Sequence, residues 1–546
     1  MFNKTETSLR SYLGRFALDY NKQMGEHDIR AFGFTEIRYA DRIINPFQGY
    51  GIQYDRGNQV FTNPLIFDKL TNEGNTYFSL TERYERGVTL SASATYGYAG
   101  KYVFNGVFNY EGSNTAGKYS RSRWLPTWNI GAKWNMDQEK FMKKYPAVSK
   151  LALRASYGLT AKMNEQAINS TAVFKHLIIN RTLLKDRENA LHILHLENRD
   201  LTWEKMYELN LGLELGLFNN RISATFDVYQ RSSFDLIDLI RTSGVGGQYY
   251  KYANFGDMRT RGVELALQTK NIVTDNFSWT TAFTVSGMKQ KITRLQNTPN
   301  TFDMVAGTGR GNILGFPRGA LFSFNFQGLN NNGLPTFDFG LYPSNQGVNS
   351  EISRADFLDA QYSKSYLIYH GPIEPTYIGG VSNTFKYKNW EFRASSPCKR
   401  ATRYAQSDIR SFVRRSERVF EGVLRPLAQS GRRVENERPV IPSQDLIRNI
   451  GKENIEKAYN TYNYSQNRVA DGSFVRMKNI SLGYRLPKKL LSQLKIRQMS
   501  VKANVTNPFL IYADKKLKGQ DPEFYKSGGV SLPTPKQYTM TLHVEF

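Results

Sequence analysis

The sequence predicts an all-β fold, an antiparallel transmembrane β-barrel, on three observations. The last ten residues alternate without a fault: Tyr538, Met540, Leu542, Val544 and Phe546 are apolar, and Gln537, Thr539, Thr541, His543 and Glu545 are polar. Segments of similar period-2 pattern recur through the chain between clusters of Gly, Asn, Asp and Pro. Aromatic residues make up 13% of the chain, yet mean hydropathy is −0.52 and no run approaches the ~18 apolar residues of a spanning helix. A strand with one oily and one wet face suits a wall between lipid and a hydrated lumen, and it hides its hydrophobicity from window averages.

The elements follow in order. Tyr102, Phe104, Phe108 and Tyr110 share a face against Asn105 and Asn109, and Trp128, Ile130, Ala132 and Trp134 alternate with Asn129, Gly131 and Lys133. Tyr207, Leu209, Leu211, Leu213 and Leu215 form the next stripe. After a turn at Asn219 and Asn220 come Ile222, Ala224, Phe226 and Val228, which makes a hairpin. The pattern continues in Val263–Leu267, Phe277–Val285, Ile480–Leu486 and Met499–Val505, for roughly 14 to 17 strands. Tyr and Trp near strand ends suit the two interfacial girdles. Irregular stretches at about residues 42–85, 163–200, 230–257, 290–317, 330–372 and 430–472 read as long external loops, where ligand contacts belong. Their aromatics Tyr249, Tyr250, Tyr252, Tyr362 and Tyr366 are candidate substrate contacts, with girdle and loop packing as competing uses.

Other chemistry is thin. The net charge of +25 is spread over turns and strand ends with no nucleic-acid motif, so no nucleic acid is expected as a partner. Cys398 is the only cysteine, which excludes internal disulfides and thiolate clusters. His192 and His195 have a spacing that could present two metal ligands but lack a third, so no metal or cofactor is expected. Gly307, Gly309 and Gly311 lack the Gly-Lys-Ser/Thr of a phosphate loop. No nucleophile elbow stands before a helix, and Asp521 and Glu523 read as loop residues before the final strand, so the expectation is a protein that is not an enzyme. Met1 is followed by no basic and then apolar leader, which for an exported chain suggests a C-terminal portion of something longer.

Several segments together resemble the SusC/RagA group of TonB-dependent outer-membrane transporters. They are Trp128–Trp134 with Glu139-Lys-Phe-Met142 and Leu151-Ala-Leu-Arg-Ala-Ser-Tyr-Gly158; Asn254-Phe-Gly-Asp-Met-Arg-Thr-Arg-Gly-Val-Glu264; and Phe326-Gln-Gly-Leu-Asn330 with Gly333-Leu-Pro335. Pro375-Thr-Tyr-Ile-Gly-Gly380 before Phe385–Trp390, Phe474–Tyr484, Asn507-Pro-Phe509 and Gly519-Gln-Asp-Pro-Glu523 follow in the family's order. The resemblance covers nearly all of residues 1–546 and implies the C-terminal part of a roughly 22-stranded, plugged barrel, with neither plug nor TonB box visible. It implies TonB-dependent uptake of oligosaccharides or peptides across the outer membrane. It also implies a SusD-like surface lipoprotein, the TonB complex and the barrel-assembly machinery as partners, the last acting on the Tyr538–Phe546 strand. A metal-chelate receptor, a non-functional transporter fragment and, from another class, a soluble β-rich binding module or adhesin are the alternatives.

One stretch departs from the family pattern. Residues 395–433 hold Lys399, Arg400, Arg403, Arg410, Arg414, Arg415, Arg418, Arg425, Arg432 and Arg433 against Asp408, Glu417 and Glu421. A basic ligand loop, a divergent solvated loop and a local reading-frame shift restored by about Val440 stay open as accounts.

Overall fold

The computed structural model describes the chain except for residues 1, 50–51, 54–56, 58, 61–62, 66–68, 71–72, 74–76, 115–122, 163–172, 181–186, 196–200, 245–249, 297–298, 306–310, 340–362, 401–403, 406–438, 441, 488–489, 492–495, 518–520, 524–533 and 546. Among the described residues fifteen strands join the main antiparallel sheet, within the expected range, and neighbours in the sheet follow the order of the chain. Two compact units divide the residues: the first holds 1–133, 156–208 and 234–254, the second 134–155, 209–233 and 255–546.

In the first unit, β1 (Phe2–Met24) and β2 (His27–Gly49) pair along their full 23 residues. They turn at Gly25, whose φ of +59° suits a residue without a Cβ. Sequence patterning did not single out these two strands. β3 (Thr81–Tyr98) pairs with β2, and β4 (Tyr102–Ser113) with β3. Register places Phe16, Thr35, Leu90 and Tyr110 in one cross-strand row and Leu18, Gly33, Ala92 and Phe108 in the next. The opposite face carries Arg15, Glu36, Thr89 and Glu111, where Arg15 Nε donates to Glu36 at 2.8 Å and Arg38 to the same carboxylate at 3.1 Å. Period-2 geometry therefore sorts apolar from charged residues as the alternation predicts.

β5 (Trp124–Asn135), β6 (Val148–Lys162), β7 (Glu204–Leu217) and β8 (Ile222–Arg241) come next along the chain. The predicted β7–β8 turn is present, with Phe218, Asn219 and Asn220 all at φ of +53° to +56°. Asparagine tolerates that left-handed backbone better than most residues.

In the second unit, β9 (Tyr250–Val273), whose first five residues belong to the first unit, pairs with β10 (Phe277–Leu295). Gly262 of β9 lies under the buried Tyr229 ring, where a Cβ would come within 2.3 Å of the ring carbon Cζ. A three-stranded sheet follows: β11 (Ala320–Leu329) lies between β12 (Pro335–Asp338) and β13 (Leu367–Pro372). The main sheet continues through β14 (Tyr377–Tyr387), β15 (Trp390–Arg400), β16 (Phe474–Arg485), β17 (Gln498–Ala513) and β18 (Gln537–Glu545). Between β15 and β16 stand two helices, α1 (Gln444–Ile450), capped by Ser443 Oγ accepting from the Leu446 amide, and α2 (Lys452–Asn463).

Cross-strand rows on the second unit's sheet are unbroken. Leu542, Val501, Tyr484, Trp390, Tyr387 and Phe277 line up across six strands, as do Met540, Ala503, Leu482, Phe392, Phe385 and Trp279. The intervening row, Thr541, Lys502, Gly483, Glu391, Lys386 and Ser278, is polar or small, and Lys386 pairs with Glu391 at 3.5 Å. The apolar rows stay open: Met540 is 78% exposed and Trp390 47%. An apolar face of that extent with no described residue covering it is what lipid covers.

The loop expectations need correction. β2 runs on to Gly49, β8 to Arg241 and β10 to Leu295, and residues 330–372 and 430–472 contain strands and helices of their own. Backbone pairing continues past the alternating segments, and residues there such as Ile237 and Ile292 are buried, so a strand persists where its wet-dry pattern fades. Residues 395–400 of the basic segment pair with β14, and Ser395, Cys398 and Lys399 also pair with β16 across a register shift; Tyr404–Ala405 form a short strand, and the remainder lies outside the described residues.

Candidate functional site

A concavity of the described residues lies at the long-loop end of the second unit. It is a cavity of about 360 Å³ lined by His370, Gln466, Asn467, Val469, Ala470, Asp471, Asp514 and Lys516. Through His370 it borders β11, which buries both faces: Phe322, Phe324 and Phe326 on one side and Leu321 and Ser323 on the other. Phe324, at 1% exposure, stacks with Tyr366 and packs against Phe337 and Phe339. Helix α2 adds Tyr462 to the same core. Segment 464–468 then docks alongside: the Phe324 amide donates to the Tyr464 carbonyl at 2.9 Å, and Gln466 Nε2 donates to Asn325 Oδ1 at 3.3 Å.

His370 reaches the cavity because β13 bulges. Tyr369 pairs with Phe322 and Gly371 with Leu321, which leaves His370 as the extra residue. A bulge re-aims the side chain it carries, and here the imidazole Nε2 meets Ser323 Oγ at 2.6 Å. The pair is not an activated nucleophile in reach of a substrate, since Ser323 is 1% exposed. It holds β11 and β13 together.

Asp514 and Asp471 shape the other wall. The Lys516 amide donates to Asp514 Oδ1 at 3.0 Å and the Asp471 amide to Oδ2 at 2.8 Å. The Lys516 amide first, then that of Asp471 and the Lys516 charge, outweigh burial and hold the Asp514 carboxyl below its ordinary range. Asp471 Oδ1 accepts in turn from the Ser473 amide at 2.9 Å. Nearby, Arg476 and Asp521 form an ion pair, each side chain 6% exposed. Glu523 lies 3.2 Å from Arg476 Nε and 3.5 Å from Lys399 Nζ, and the Glu523 amide donates to Asp521 at 3.0 Å. Burial pushes the Asp521 carboxyl up, but the guanidinium, the Glu523 amide and the Thr534 amide together bring it below its usual value. The carboxylates considered for acid–base work are thus structural. They clamp the loop before β18 onto β16.

The sequence-predicted contacts scatter. Tyr366 is buried, its hydroxyl 2.8 Å from Thr301 Oγ1, so packing takes this ring. Tyr252 is half-buried against Leu201 and Ile237 in the first unit. Tyr250 begins β9, its side chain outside the described residues, and Tyr249 and Tyr362 lie outside them entirely. His192 and His195 fall in the strand Arg187–His195, which pairs with Val173–Asn180, and their side chains are likewise not described. Among the described residues no group of three His, Cys, Asp or Glu is placed to hold a metal. Sequence reasoning missed His370, Asn467 and Asp471, because nothing local marks a bulge or a docked segment 140 residues away. On β18, Tyr538, Met540, Leu542 and Val544 share one row position each with Val505, Ala503, Val501 and Met499, while Phe546 lies outside the described residues.

Several resembling motifs have visible jobs. Asn254 staples its surroundings, accepting from the Thr202 amide at 2.8 Å and donating to the carbonyls of Thr202 and Asp235 at 2.8 and 2.6 Å. Asp257 takes Arg294 in a two-point pair at 2.7 and 2.8 Å. Asn330 Oδ1 accepts from the amides of Asn332 and Leu334, which fixes the β11–β12 turn beside Gly333 at φ of +73°. Asn507, at φ of +54°, sits where the β16–β17 register shifts.

Residues 3–395 match the family model described as TonB dependent receptor-like, beta-barrel. The chain is 25% identical over 586 aligned positions to TonB-dependent receptor P3 of Formosa agariphila, covering 100% of this chain and 52% of that protein. It is 26% identical to TonB-dependent receptor SusC of Bacteroides thetaiotaomicron over 82% of this chain and 42% of that one. Among solved structures, the RagAB peptide importer in its closed-closed state superposes with a TM-score of 0.75 at 21% identity, over 100% of this chain and 56% of that chain, a likeness of fold. The chain spans about half the length of the curated relatives it matches.

Proposed function

We propose, because the chain belongs to the TonB-dependent receptor-like β-barrel family, that it supplies the outer-membrane wall of a SusC/RagA-type nutrient importer. The observation that carries this reading is the pair of apolar rows running across six strands from Phe277 and Trp279 to Leu542 and Met540, backed on the other face by a polar row. The strands present hydrocarbon-compatible side chains outward and hydrogen-bonding ones inward. Cargo is an oligosaccharide or a peptide. A SusD-like lipoprotein presents it at the long-loop end, and the TonB complex drives its release inward.

The cavity beside His370 supports a cargo contact there. Its amides Gln466 and Asn467, the carboxylates Asp471 and Asp514 and Lys516 offer donors and acceptors suited to hydroxyl-rich or amide-rich ligands. The test is uptake of labelled maltooligosaccharides and of labelled peptides by cells carrying or lacking the intact gene, with and without TonB. Uptake of one class should require both the gene and TonB. Uptake unchanged by deleting TonB refutes the importer reading, and transport of a ferric chelate alone refutes the cargo assignment.

A further inference from the structure

The apolar face of the second unit's sheet ends on a block of positive charge. On β10 that face carries Trp279, Phe283, Val285 and Gly287 and then Lys289 and Lys291; on β9 it carries Leu267, Leu265 and Val263 and then Arg261 and Arg259. The register sets Arg261 directly opposite Lys289 and Arg259 directly opposite Lys291, with no shift in pairing between them and Leu267. Opposed Cβ atoms in a ladder stand about 5 Å apart and successive same-face residues about 7 Å apart, so the four cations form one patch that a single phosphorylated headgroup can span.

All four are exposed, and among the described residues none makes an ion pair. Arg261 Nε donates to the neutral Gln230 Oε1 at 2.8 Å, and Asp257, the next carboxylate along β9, takes Arg294 at 2.7 and 2.8 Å. Like charges directly opposite one another cost a ladder stability unless an anion lies between them. The intervening pair on the other face, Thr260 with Gln290, is uncharged. The charge is thus confined to the face that, further along the same strands, meets lipid.

Height assigns the leaflet. Lys289 stands ten residues beyond Trp279 on β10, about 34 Å along the strand and about 26 Å along the barrel axis at a tilt of about 40°, which matches an apolar band about 25 Å tall. Trp279 lies beside the short β9–β10 turn, whereas β10 runs on from Lys291 toward the insertion that holds β11 to β13, so the cations mark the outer rim. Tyr377 marks the same boundary. Its ring occupies the space over Gly287, where a Cβ would come within 2.8 Å of Cε1, and it is 45% exposed, as an interfacial tyrosine is.

We propose that Arg259, Arg261, Lys289 and Lys291 bind the phosphates of an acylated glycolipid of the outer leaflet, whose acyl chains lie on Val263, Leu265 and Val285. The guanidiniums take phosphate oxygens in two-point contacts, and the ammoniums neutralise the remaining charge. Continuity of the cations with the apolar rows selects a lipid over a soluble anion or an acidic protein segment. The inference stands on the apolar face lying in lipid and is independent of the cargo.

The full chain, purified in mild detergent, is titrated with bisphosphorylated lipid A and with its dephosphorylated form and read by native mass spectrometry. One bisphosphorylated molecule per chain is expected, held about tenfold or more tightly than the dephosphorylated form. R259Q/R261Q and K289Q/K291Q should each weaken it about tenfold, and the fourfold variant about a hundredfold, while Lys502→Gln on the opposite face binds as the parent does. Heat-modifiable migration on gels confirms that each variant is folded. Without lipid, the fourfold variant should unfold at no lower urea concentration than the parent, because the substitutions remove like-charge repulsion. Equal binding of the dephosphorylated lipid, parent affinity in the fourfold variant, or displacement by millimolar inorganic phosphate overturns the proposal.

Discussion

The second unit uses the same residue types in two opposite ways. Along β14–β18, Tyr387, Trp390, Leu482 and Met540 are 53%, 47%, 45% and 78% exposed, whereas Met304 and Phe324 in the loop-borne core around β11 are 1% exposed. One region lets its surroundings cover its apolar atoms; the other must cover them itself. The lesson is that apolar content does not report burial. Stability in the sheet rests on cross-strand pairing and lipid, and in the β11 core on packing between segments far apart in sequence.

The largest expected effects break the core and spare the sheet. Phe324→Ala should cost the β11 region about 3–5 kcal/mol through the cavity it leaves. Limited proteolysis in urea should show cleavage within 296–372 at lower denaturant while heat-modifiability of the barrel strands holds. Coincident loss of both signals would mean the two regions are one cooperative unit. Arg476→Met is of similar size, about 3–5 kcal/mol, because it leaves Asp521 buried without its cation. The double variant R476M/D521L should recover most of that loss in the same assay.

The sheet is tested by face. Ala503→Arg, in an apolar row, should cost about 2–4 kcal/mol of folding free energy in lipid vesicles, and Thr541→Arg, in the adjacent polar row, less than about 0.5 kcal/mol. Equal costs would show that the rows do not divide lipid from lumen.

Acid titration sharpens the comparison at the clamp. The folded carboxyls of Asp514 and Asp521 lie below their ordinary values, so the stabilisation they contribute is complete above about pH 3.9 and is lost as pH falls through the folded values. Protease access to the 514–523 loop should therefore rise only in strong acid, and Asp521→Asn should remove its share of that pH dependence and leave the share of Asp514. The smallest effect belongs to a surface cap: Ser443→Ala should cost α1 about 1 kcal/mol, read as faster amide exchange in residues 444–450.

Much of this was legible in residue order. The Tyr538–Val544 stripe, the Leu209–Leu215 stripe and the Asn219–Asn220 turn needed only period-2 geometry and the left-handed tolerance of asparagine. β11 was not legible, because Ala320-Leu-Phe-Ser-Phe-Asn-Phe326 is buried on both faces and so carries no wet-dry contrast to read. The candidate site was illegible for a related reason. His370 depends on a bulge against Phe322, and Gln466 on a partner 141 positions away.

By itself, the sequence determined that the chain pairs as amphipathic strands with short turns, since alternation and turn chemistry are written in neighbouring residues. Only the tertiary structure decided which aromatic residues face outward and which, like Tyr366, are used up in a core. It also decided that Asp521 and Glu523 clamp a loop. Those outcomes turn on register and docking between distant segments, where the free energy of a side chain is set by what lies opposite it rather than beside it in the chain.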